Sequence, residues 1–183
     1  MNNLLKSFSI ILIALGITAC TPKFDWREIR NTDAPFIATF PGKPATHSRD
    51  IELDGIKVKL HMTAADVNQL SFAIAYAKIE NNDKSLQAQQ QQRALSAMQA
   101  GMLKNIQGTI VQASASSGAN SSHHSSPKNT ITAIGKKQNG QAIKMVARFT
   151  QHGPWIMQIV MMGEEKSFTP DIADMFFDSI KLN

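Results

Sequence analysis

The chain has 183 residues, 43% hydrophobic and 18% charged, with a formal net charge of +5 at pH 7. That length suits one domain with a substantial hydrophobic core, and a single cysteine excludes an intrachain disulfide. The basic residues are spread out rather than interleaved with aromatics, so composition gives no argument for nucleic acid as a partner.

Met1 to Lys6 is polar and carries one positive charge, and Ser7 to Leu15 is almost wholly apolar. This run is shorter than the roughly 20 apolar residues that cross a bilayer. It fits the core of a secretory signal, about 7–15 apolar residues ending in small ones, here Gly16, Thr18 and Ala19. Ile17-Thr18-Ala19-Cys20 resembles the lipobox of bacterial lipoproteins. The resemblance implies transfer of a diacylglyceryl group to the Cys20 thiol, cleavage just before it and acylation of the new amine. Residues 1–19 are then a signal peptide, whose loss removes Lys6 and no acid. Several acyl chains hold firmly where one alone is marginal. In enteric-type members of the family an Asp after the cysteine favours the inner membrane. Thr21 stands here, which points to the periplasmic side of the outer membrane. Residues 20–23 form the lipidated terminus and a short spacer. Thr21 to Lys23 spans at most about 10 Å when extended, so the domain is expected close to the headgroups.

From residue 24 onward one globular domain is expected. Phe24 to Ile29 reads as a short strand, and Asn31-Thr32-Asp33 as a turn. Phe36, Ala38 and Phe40 alternate onto one face, and Pro41 and Pro44 end that strand. Asp54-Gly55 is a two-residue hairpin turn, which sets Leu53 opposite Ile56, Glu52 opposite Lys57, Ile51 opposite Val58 and Asp50 opposite Lys59. Lys57, Lys59 and His61 form a basic stripe on the polar face, read as solvated. Leu70 to Ile79 is a strand with Leu70, Phe72, Ile74 and Tyr76 on one face. Ala73, Ala75 and Ala77 line the other, which predicts a helix packed closely there.

Ser85, as N-cap, starts a helix to about Ile106, with Leu95, Met98, Met102 and Ile106 on one stripe and Gly108 at the exit. Gln89 to Gln92 reads as a solvated face. Thr109 to Gln112 is a further strand, and the Ser-rich stretch near 113–128 reads as a flexible loop. Asn129 to Lys137 and Gln141 to Thr150 flank Asn139-Gly140, read as a second two-residue turn that sets Ile134 opposite Met145 and Ala133 opposite Val146. Trp155 to Met162 is apolar on both faces and should lie centrally in the sheet. Thr169-Pro170 opens a short helix with Ile172, Met175, Phe176 and Ser179 on one face, after which Ile180 and Leu182 close against the sheet.

These elements predict an α+β fold: a twisted, mostly antiparallel sheet of about 7–8 strands, one long mid-chain helix and a short C-terminal helix. Trp26, the run Phe36-x-x-x-Phe40-Pro41-Gly42-Lys43-Pro44, Tyr76, the mid-chain helix and Phe176-Phe177-Asp178-Ser179-Ile180 are similar to the PsbP-like fold, over residues 24 to 183. Known members act mainly as binding or assembly subunits, and the resemblance implies no catalytic residues and no cofactor.

The chemistry-bearing residues point the same way. Gly-x-Ser-x-Gly, His-Glu-x-x-His and phosphate-loop motifs do not occur. Asp171 and Asp174 share a helix face, but Asp171 suits the positive end of that helix. Glu164-Glu165 has no evident partner. His123 and His124 are two adjacent candidate ligands, short of a zinc set, with His47, His61 and His152 on other elements. The expectation is a non-catalytic, membrane-anchored envelope protein that holds the bilayer through acylated Cys20 and binds another envelope protein. The alternative is a small-molecule or metal carrier with a pocket between helix and sheet.

Overall fold

Two neighbouring nine-residue strands, Leu70–Lys78 with alternating large and small side chains and Trp155–Gly163 apolar on both faces, set the layers. The computed structural model describes residues 23–114 and 129–183. It gives β1 (Arg27–Arg30), β2 (Phe36–Phe40), β3 (Ala45–Leu53), β4 (Ile56–Val67), β5 (Leu70–Lys78), α1 (Lys84–Asn105), β6 (Thr109–Ser114), β7 (Thr130–Lys136), β8 (Ala142–His152), β9 (Trp155–Gly163), α2 (Pro170–Asp178) and β10 (Lys181–Leu182). The fold is α+β. A 7-stranded antiparallel sheet runs β3-β4-β5-β9-β8-β7-β6, and a separate 3-stranded sheet runs β1-β2-β10. A single sheet of 7–8 strands was expected. β2 instead leaves the main sheet at Pro41 and Pro44, pairs with β1 and β10, and lays Phe36, Ala38 and Phe40 on the main sheet's face.

β5 and β9 sit side by side in the middle. Their two faces build two cores. Phe72, Ile74 and Tyr76 with Met157, Ile159 and Met161 pack against β2 and against Phe176 and Phe177 of α2. Ring centroids stand 5.1 Å apart for Phe72–Phe176 and 5.6 Å for Phe40–Phe176, both edge to face. On the opposite face Ala75, Ala77, Ile156 and Val160 pack against Ala94, Leu95 and Met98 of α1. The apolar faces of β9 behave as the sequence predicts; Ala75 and Ala77 of β5 do face α1, but the close packing expected there goes to β9 instead. Trp26 does not join a strand; its ring lies edge-on to Phe72 at 6.2 Å.

The Asp54-Gly55 hairpin has the predicted register, from Leu53↔Ile56 to Asp50↔Lys59. The second hairpin is shifted by one residue: Ala133 pairs with Met145 and Ile134 with Lys144. Its loop holds three residues, closed by the Gly140 N–H donating to the Lys137 carbonyl at 2.8 Å, with Gly140 at φ +82. The physical reason is burial. Ala133 and Met145 are both core residues, whereas the two-residue turn would set exposed Ile134 against buried Met145.

Asp83, not Ser85, caps α1, its carboxylate accepting from the Ser85 and Leu86 amides at 2.8 and 3.2 Å. Only a side chain at the cap itself reaches those second and third amides. At the other end Gln107 takes the left-handed turn (φ 48), with Gln107 N–H bound to Lys104 O and Gly108 N–H to Leu103 O. Gly108 is needed for space instead: a Cβ there would meet the Ile106 side chain at 2.7 Å. On α2 the buried pair is Phe176 and Phe177, while Met175, assigned inward by spacing, is exposed. Ala113 and Ser114 of the expected loop belong to β6. The rest of that loop with His123 and His124, the signal peptide and Cys20 lie outside the described residues.

Candidate ligand-binding cleft

α1 is fixed to the sheet at three polar points. Gln87 and Gln91 both donate to the Gly153 carbonyl in the β8–β9 turn, at 3.4 and 2.9 Å. Arg93 grips the β3–β4 turn through Asp54. At the C-terminal end the Lys136 N–H of β7 donates to the Ile106 carbonyl at 2.7 Å. Gln91 was expected on a solvated face; it is 3% exposed, because its turn of the helix faces Gly153.

Between these points the helix stands off from β3, β4 and β5. Ala73 and Ala75 on the sheet face Ala97 and Gly101 on the helix, so neither surface fills the space. The result is a cleft of about 290 Å³, at the small end of ligand pockets, which run about 300–1,000 Å³. Four of the chain's nine methionines, Met62, Met98, Met102 and Met162, form its walls. Thioether side chains repack easily around an apolar guest. The polar lining is Arg49, Asn105 and Gln158. The Gln158 Nε2 donates weakly to the Met102 Sδ at 3.7 Å. Arg49 stands opposite Leu60 in the register and two residues from Ile51, so it shares the apolar, helix-side face of β3. None of the cleft's lining residues is a Ser, Thr, Cys, His, Lys, Tyr, Asp or Glu. The cleft thus offers apolar surface and one cation, with no nucleophile or general base.

The residues singled out from sequence lie elsewhere. His47 pairs with Met62 and His61 with Ser48, which puts the two rings on opposite faces of the sheet. His61 stacks on Tyr76 with centroids 5.2 Å apart, and the His152 Nε2 lies 3.0 Å from the Asn183 carbonyl. Among the described residues, no three His, Cys, Asp or Glu side chains gather as a metal site requires. Lys57 and Lys59 face Glu52 and Asp50, which offsets the basic stripe. Glu164 and Glu165, expected without partners, do have them: Lys166 at 2.7 Å and Gln141 for the first, Lys144 at 3.8 Å for the second.

A wider depression, lined by Glu80, Asn81, Lys84 and Gln87 beside Gly153, lies open to solvent. Its polar groups bond one another: the Gln87 Oε1 accepts from the Asn81 N–H and the Lys84 Nζ. The chain matches no family model, no curated protein and no solved structure. Among the described residues, no helix is long and apolar enough to cross a membrane.

Arg49, Gly101 and Gln158 had no functional assignment from sequence. The available signal was the pairing of a small-residue sheet face with a glycine in the last third of the facing helix. It does not fix how far apart the two surfaces stand.

Proposed function

We propose that this protein is a non-catalytic binding module of the bacterial cell envelope, anchored by acylated Cys20 to the periplasmic side of the outer membrane. The cleft between α1 and the sheet supports the binding reading, because its lining can hold an apolar molecule and carries no residue able to react with one. It favours a small-molecule carrier as the form of that module. An α+β fold with a long helix across one face of an antiparallel sheet is compatible with the PsbP-like likeness of the sequence. The lipobox supports the anchor.

A second reading, docking of another envelope protein, has its own observation. Ile110 and Val111 of β6 and Ile134 of β7 are exposed apolar side chains, and among the described residues β6 is a terminal strand of the sheet.

Two measurements test these statements. Labelling cells with radioactive palmitate should mark the wild-type protein in the outer-membrane fraction, and Cys20→Ser should lose the label; an unlabelled wild type removes the anchor. For the cleft, the chain from residue 20 onward with Cys20→Ser is the suitable molecule, since both described cores draw on Phe24 and later residues. Nile red should bind it saturably with a blue-shifted emission. Absence of saturable binding removes the carrier reading, and crosslinking in intact envelopes then decides the docking one.

A further inference from the structure

Building on the binding-module reading, we infer that the cleft takes a single-tailed amphipath with an anionic head, a free straight-chain carboxylate. The tail lies between α1 and the sheet, and the head meets Arg49.

Shape argues for one tail. At about 290 Å³ the space is too small for a two-tailed lipid, and Ala73 and Ala75 on the sheet with Ala97 and Gly101 on the helix leave it as a slot between the two. The methionine walls suit a flexible hydrocarbon better than a rigid ring with polar substituents, since they supply contact area and almost no hydrogen-bonding direction. Charge argues for the head. Arg49 is the sole ionised residue of the lining, no acid accompanies it, and its guanidinium makes no ion pair among the described residues. A guanidinium fork fits a carboxylate with two parallel hydrogen bonds. The negative end of α1 lies near the same lining, at Asn105 and Ile106, and would oppose an anion. It is muted by Lys104 and by the backbone bonds that occupy the Leu103 and Lys104 carbonyls. The free carboxylate is the smallest head that meets these conditions, and its two oxygens match the fork of the exposed Arg49 side chain.

The test is displacement of nile red from the same unacylated protein by three homologous series: straight-chain carboxylates, primary alcohols and primary amines. Carboxylate affinity should rise about three- to fourfold per methylene until the slot is full, then level off. At equal length the carboxylate should bind about tenfold tighter than the alcohol, and Arg49→Gln should bring it to the alcohol's level while leaving the alcohol unchanged. Gly101→Leu, where an added Cβ has no heavy atom within 4 Å, should fill the slot and abolish displaceable binding while keeping or raising the thermal midpoint. Equal binding of acid and alcohol, tighter binding of the amine, or tighter binding of a lysophospholipid of the same tail would each overturn the carboxylate assignment. They would leave the carrier reading standing, which falls only if nile red itself does not bind.

Discussion

Arg93 and Asp54 join the middle of α1 to the tip of the β3–β4 hairpin. The Arg93 Nε donates to the Asp54 Oδ2 at 2.7 Å, and Nη2 donates to the Asp54 carbonyl at 2.8 Å. Asp54 holds a left-handed turn conformation (φ 50), so both acceptors are presented by one strained residue. From this turn the chain leads through Leu53 and Ile51 into the lining of the cleft.

Both partners are about half exposed, so solvent screens the attraction. A double-mutant cycle with Arg93→Ala and Asp54→Asn should give a coupling of about 0.2–1 kcal/mol in chemical denaturation, shrinking as salt is added. A coupling above about 2 kcal/mol would mean that this clamp, rather than the apolar contacts of α1, holds the helix down.

Gln91 differs because it is buried. Gln91→Ala should destabilise the fold by about 1–3 kcal/mol, for it strips the Gly153 carbonyl of its short donor and leaves only the longer Gln87 contact. Gln87→Ala should cost less. Equal losses for the two would contradict the 2.9 and 3.4 Å geometry.

Tyr76 is the chain's one tyrosine and is fully buried, its hydroxyl accepting from the Asn31 Nδ2 at 2.7 Å. Burial pushes its phenol above the usual value of 10, against the lowering effect of the Asn31 bond, with Asp33 adding to the rise. The neutral form is thus favoured by the fold. Its contribution is full below pH 10 and is lost as pH rises through the elevated folded value. Near-ultraviolet absorbance of tyrosinate, which here reports Tyr76 alone, should titrate late and together with loss of structure. Tyr76→Phe should remove that alkaline step. Reversible titration near pH 10 with the fold intact would refute it.

Two of the residues that spacing placed on the inward face of α2, Phe176 and Met175, should part clearly. Phe176→Ala should cost about 3–5 kcal/mol, as it empties the space between Phe40, Phe72 and Phe177. Met175→Gln should change stability by less than about 0.5 kcal/mol, because that side chain is exposed. Denaturation midpoints decide it, and the reverse order would rotate α2 against its assigned face.

Local patterns made most elements legible. Alternation along β5 and the doubly apolar β9 announced their faces and their central place, because a strand's side-chain period of two is set by its own backbone. Asp54-Gly55 fixed its hairpin register for the same reason: the turn's conformation is decided by the residues in it. Asn139-Gly140 carried a similar signature, yet its register went to the pairing that buries Ala133 with Met145. Core burial over a whole strand outweighed the preference of two turn residues.

The resemblance of Ile17-Thr18-Ala19-Cys20 to a lipobox is a motif-level feature, readable without any fold. The cleft belongs to the opposite kind. Ala73, Ala75, Ala97 and Gly101 are small in the sequence, but a small face normally draws a helix close. Here α1 is held at Gly153, Asp54 and Lys136 by its own polar anchors, and those bridges span 62, 39 and 30 residues of chain. Only the assembled sheet brings them together, so the space beside Arg49 is a property of tertiary geometry alone.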